Sequence, residues 1–114
     1  MLDSAGPART DGRGGVQRVL HADGLLRVVL DGPPGQAVVH LVGEADTTNS
    51  RALGRALADA HQREPGLTID AGRLSFVDVS GARTLLGFAQ WTSVPVRNVS
   101  DQLRRLLTLL DVTL

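Results

Sequence analysis

Three stretches of this chain repeat one helical spacing of apolar residues, and short valine-rich runs separate them. Leu53, Ala56, Leu57 and Ala60 form the first stripe, Ala82, Leu85, Leu86 and Ala89 the second, and Leu103, Leu106, Leu107 and Leu110 the third. The i, i+3, i+4, i+7 pattern predicts three amphipathic helices, each with one face to bury. Strand character begins near Val16, and residues 25–30 (LLRVVL) and 36–43 (QAVVHLVG) flank an Asp-Gly-Pro-Pro-Gly segment that predicts a hairpin. In its second strand apolar residues occupy both faces, which suits the middle of a sheet. Residues 67–70 predict a short strand followed by a loop through Gly72, and residues 94–97 an edge strand, since Pro95 cannot donate to a ladder. The order implies an α/β fold: a mixed sheet, with an N-terminal hairpin plus parallel strands, covered by about three helices.

With 114 residues there is room for one domain. Residues 1–15, rich in glycine and without apolar periodicity, are expected to be a flexible tail, and residues 16–114 the folded unit. Arginine supplies all 12 basic residues against 12 acidic ones, so no long-range field favours nucleic acid or an anionic membrane. Phe76, Phe88 and Trp91 are the only aromatics, too few for a base-stacking platform. The absence of cysteine excludes disulfides and thiolate metal sites, and His21, His40 and His61 have no ligand spacing, so neither metal nor cofactor is expected. His40 fits a satisfied core histidine. No secretory leader or membrane-length apolar run is apparent, which predicts a cytoplasmic protein.

Two short segments carry the chemistry. In Asp78-Val79-Ser80-Gly81 the chain passes from extended structure into a helix, so the Ser80 hydroxyl is expected to cap that helix. A phosphate there would meet free backbone N–H groups and the positive end of the helix dipole, while Asp78 two residues away would concentrate negative charge. Gly43-Glu44-Ala45-Asp46 precedes the first helix, and in parallel α/β units such strand ends gather on one edge of the sheet. Asp46 and Asp78 are therefore expected beside Ser80. A serine hydrolase is not indicated, because residues 78–82 do not form G-x-S-x-G and no histidine has an orienting partner.

Those two segments, together with VVHLVGEADTTN, LTIDAGRLSFVDVSGARTLL and VPVRNVSDQLRRLLTLLDV, resemble the STAS domains of bacterial anti-sigma factor antagonists over roughly residues 24–112. The resemblance implies a non-enzymatic binding protein. Its partner would be an anti-sigma factor of kinase fold that phosphorylates Ser80, and a phosphatase would reset the switch. It also implies that Asp78 poises the serine and that Asp46, Thr47, Thr48, Asn49, Asp78, Val79 and Gly81 contact the partner. A second expectation is a STAS-type structural subunit docked permanently on a larger assembly, such as a stress-signalling complex or lipid-transport ATPase, with Ser80 serving only as a cap. The short C-terminal end is expected to leave apolar surface for a second copy, as in a homodimer, or for a partner.

Overall fold

The computed structural model describes residues 8–10 and 16–110. In chain order the elements are β1 (Ala8–Thr10), β2 (Val16–Ala22), β3 (Leu26–Asp31), β4 (Val38–Ala45), α1 (Ser50–Arg63), β5 (Thr68–Val77), α2 (Val79–Thr92), β6 (Val96–Arg97) and α3 (Asp101–Leu109). They build one sheet in the order β1-β2-β3-β4-β5-β6. The β1–β2, β2–β3 and β3–β4 pairs are antiparallel; β4–β5 and β5–β6 are parallel. The parallel pairs follow from the crossovers through α1 and α2, which return the chain to the same end of the sheet. This is the mixed α/β architecture expected from the sequence. Within the segment read as a tail, Ala8–Thr10 pairs with β2, and the rest of residues 1–15 lies outside the described residues.

All four apolar positions of the first stripe, Leu53, Ala56, Leu57 and Ala60, are buried on α1, and Ala82, Leu85, Leu86 and Ala89 are buried on α2. On α3 Leu103 and Leu107 are buried, while Leu106 and Leu110 pack part-exposed against the same core. The helices meet Leu26, Val28, Val39, Leu41 and Ile69 of the sheet in one continuous cluster. The edge strands are short, three residues in β1 and two in β6, with Pro95 just before the latter. No described helix is long and apolar enough to cross a membrane.

The strand β5 departs from expectation. It runs ten residues through Gly72 instead of ending at a loop there. Its pairing with β4 slips twice: His40 and Val42 face Asp70 and Arg73, and Gly43 and Glu44 face Leu74 and Phe76. Each slip sets an extra β5 residue against β4, a bulge that breaks the period of two. The buried positions therefore fall at Ala71, Leu74 and Val77, a spacing of three that does not look like a strand.

The β2–β3 turn is tied down by Asp23. Its carboxylate accepts the Leu25 and Leu26 N–H groups at 2.6 and 2.8 Å, and His21 Nε2 lies 2.7 Å from it. The His21 hydrogen bond, followed by the two backbone bonds, lowers the Asp23 pKa from 3.8 to about 2. A depressed carboxyl stabilises the fold fully above its unfolded value, and that contribution is lost as pH falls from 3.8 toward 2. A carbon-13 NMR titration of the folded protein is expected to place the Asp23 midpoint near 2, moving up in His21→Ala. A midpoint at 3.8 would contradict the assignment.

Candidate functional site

The two motifs meet because β4 and β5 are parallel neighbours that end together: Ala45 pairs with Val77, and Asp46 and Asp78 are the next residues out. The Asp78 N–H donates to the Ala45 carbonyl at 3.0 Å, so the start of α2 is pinned to the end of β4. Gly81 makes this approach feasible. A Cβ there would lie 2.6 Å from the Ala45 oxygen and 2.9 Å from the Ala45 Cβ.

The cap of α2 is Asp78, not Ser80. The Asp78 backbone is extended, and its Oδ1 accepts the Gly81 N–H at 2.9 Å. Ser80 is the second residue of the helix, with its hydroxyl turned across to the β4–α1 turn, where Ser80 Oγ lies 3.2 Å from Thr47 Oγ1. The other carboxylate oxygen of Asp78 accepts from Thr47 N at 3.1 Å and from Thr47 Oγ1 at 3.3 Å. Asp78 thus holds two segments at once, and it reaches Ser80 through Thr47.

The turn between β4 and α1 is built largely from its own side chains. Asp46 Oδ1 accepts from Thr48 N at 2.9 Å and from Thr48 Oγ1 at 2.5 Å. Asn49, one of the expected contact residues, is only 3% exposed. Its Oδ1 accepts the Asp46 N–H and its Nδ2 donates to the Glu44 carbonyl, both at 2.9 Å, so its side chain shapes the turn from inside. Gly81 is likewise buried, and its place in the motif is explained by the Ala45 contact. Thr47, Thr48 and Val79 are exposed, and Asp46, Asp78 and Ser80 are half-buried.

Val79 at the start of α2 is 44% exposed, and Phe76 near the end of β5 is 41% exposed. The bulge before it turns this ring outward at the strand end, and sequence alternation gives no sign of that. From α3, Gln102 Oε1 accepts the Val77 N–H at 3.2 Å, which brings a third element to the same edge. Phe76 and Val79, two and one residues from Asp78 in the chain, are thus accessible apolar side chains near the junction of β5 and α2.

The histidines are engaged elsewhere. His21 lies by Asp23, and His61 stacks edge-on to Phe88 with ring centroids 5.9 Å apart. His40, expected in the core, alternates with the buried Val39 and Leu41 and so falls on the opposite sheet face, 3.7 Å from Asp70 and 4.0 Å from Asp31. At Asp70 burial acts to raise the pKa, but the Gly72 N–H, the Asn98 side chain and the charges of His40 and Arg97 outweigh it and lower the value.

Over residues 28–113 the chain matches the family described as "Mlab, STAS domain". It belongs to the STAS-domain family. A search of curated protein sequences finds no match. Among solved structures, this STAS domain is similar to the crystal structure of an anti-sigma factor antagonist from Mycobacterium paratuberculosis, with 21% identity and a TM-score of 0.61. The likeness covers 79% of this chain and 81% of that one. At this identity the STAS fold is what the two share, and the site is argued from its own geometry.

Proposed function

We propose that this STAS domain is an anti-sigma factor antagonist whose binding is switched by phosphorylation of Ser80. The observation that carries the reading is the placement of the Ser80 hydroxyl. It sits half-buried in the first turn of α2, on the rim where both motifs meet, with exposed Val79 before it. The partner is an anti-sigma factor of kinase fold that contacts Asp46, Thr47, Thr48, Asp78 and Val79, with Phe76 as an added apolar anchor. In the modification step Ser80 Oγ bonds to the γ-phosphorus of a nucleoside triphosphate held by that partner. The bond to the β-phosphate oxygen breaks, the nucleoside diphosphate leaves and the hydroxyl proton is released. Hydrolysis of the phosphoserine by a phosphatase restores the hydroxyl.

The physical effect of the phosphate is local. It adds a charge of about −1.5 to −2 within reach of the Asp78 carboxylate, yet it sits at a helix N-terminus that tolerates anions, so the fold survives while the rim becomes more negative. The test is capture from native lysate with wild type, Ser80→Ala and Ser80→Asp, followed by affinity measurement on the recovered kinase-fold protein. Ser80→Asp is expected to weaken binding roughly a hundredfold, about 2.7 kcal/mol, while Ser80→Ala binds like wild type. A second reading is favoured by the hydrogen bonding of Ser80, whose hydroxyl already has a partner in Thr47 without any phosphate. In that reading the domain is a permanently docked subunit and all three baits hold the same proteins with equal affinity.

A further inference from the structure

We propose that Thr47 is a positioning residue that couples the state of Ser80 to the β4–α1 turn, so that phosphorylation reshapes the turn as well as charging the rim. The proposal rests on the reading of Ser80 as phosphoacceptor. The turn of residues 46–49 is closed on itself through Asp46 and Asn49. Among the described residues, the side-chain hydrogen bonds that cross from this turn to the start of α2 all run through Thr47: its N–H and hydroxyl to Asp78, and its hydroxyl to Ser80.

The direction of the chain follows from a proton count. A carboxylate only accepts, and a threonine hydroxyl has one hydrogen to give. With the Thr47 hydrogen directed to Asp78 Oδ2, the Ser80 hydroxyl supplies the hydrogen between the two hydroxyls. The order is Ser80 to Thr47 to Asp78. Asp78 therefore fixes the rotamer of Ser80 indirectly, and both lone pairs of Ser80 Oγ point away from Thr47.

A phosphoserine has no hydrogen on its ester oxygen. Thr47 then loses its donor and meets a dianion on one side and the Asp78 carboxylate on the other, with a single hydroxyl hydrogen for both. A charge-assisted bond to the more highly charged group is the stronger one, so the Thr47 hydroxyl turns to the phosphate. Asp78 keeps Gly81 but loses the hydroxyl of Thr47, and the Thr47 N–H bond to the same oxygen loosens with it. Asp46 and Thr48 move with Thr47, because the carboxylate of Asp46 is bonded to Thr48.

The experiment uses protein carrying genetically encoded phosphoserine at position 80, compared with the serine form, in wild type, Thr47→Val and Thr47→Ser. Amide NMR spectra and hydrogen exchange are recorded for each pair. In wild type and Thr47→Ser, phosphorylation is expected to shift the amides of residues 46–49 and to speed exchange at position 47 about tenfold, the loss of roughly one hydrogen bond. In Thr47→Val the turn loses this response, while the amides of residues 79–82 still report the phosphate. An exchange rate at Thr47 in phosphorylated wild type equal to that of the serine form overturns the proposal, as does an undiminished turn response in Thr47→Val. Because the phosphate is installed without a kinase, failure of the coupling is distinct from failure of the phosphoacceptor reading, which the lysate baits test.

Discussion

Gly43→Ala is expected to lower the stability of this domain by roughly 2–5 kcal/mol, the sum of a strained backbone and a steric overlap. Gly43 has φ +110, a conformation that L side chains rarely adopt. A Cβ there would also overlap the Leu25 carbonyl oxygen, which accepts the Glu44 N–H at 2.9 Å. Neither side can yield cheaply, because one is the backbone of a bulged strand and the other the backbone of the β2–β3 turn that Asp23 ties down. Urea unfolding measures the loss, and for a domain of this size it corresponds to a fall in Tm of roughly 10–30 °C. Gly66→Ala is the control: its Cβ would meet nothing within 4 Å, and its effect is expected to stay within about 0.5 kcal/mol. Equal stability of the two variants would contradict the account. Since Asp46 lies three residues beyond Gly43, the same substitution is expected to disturb the rim before the domain unfolds.

Asn49→Ala is expected to cost about 2–4 kcal/mol, because two backbone groups lose a partner inside a closed turn. The Asp46 N–H and the Glu44 carbonyl both depend on this one amide side chain. Thr48→Ala removes a bond made at an exposed position and is expected to cost about 1 kcal/mol or less. Chemical unfolding of the two variants separates the residue that builds the turn from a neighbour that is free to face a partner. If Asn49→Ala were as stable as Thr48→Ala, the buried amide would have no structural part.

Much of this arrangement is legible from the residues alone. The helices announce themselves because Leu53, Ala56, Leu57 and Ala60, and their counterparts on α2, answer to a single burial direction. Gly43–Asp46 and Asp78–Gly81 are found together because parallel strands end at one edge. The strand β5 was hidden because its bulges replace alternation with a spacing of three. The cap of α2 was displaced by two residues for a different reason. Aspartate and serine are both strong N-caps, and only the backbone angles decide between Asp78 and Ser80. The link from Thr47 to Asp78 spans 31 residues and depends on the register of two strands, which no local pattern encodes.

The brevity of the two outer strands bears on how the molecule behaves in a crowded solution. A sheet border invites another chain to extend it when several consecutive backbone groups lie open and flat. Among the described residues the outermost strands have three residues on one side and two on the other, the latter following a proline that has no N–H to give. Neither of these strands is by itself long enough to template a neighbouring strand. Pairing through these two strands is thereby discouraged, and the rim of turns and helix starts proposed above for recognition makes no use of a strand border.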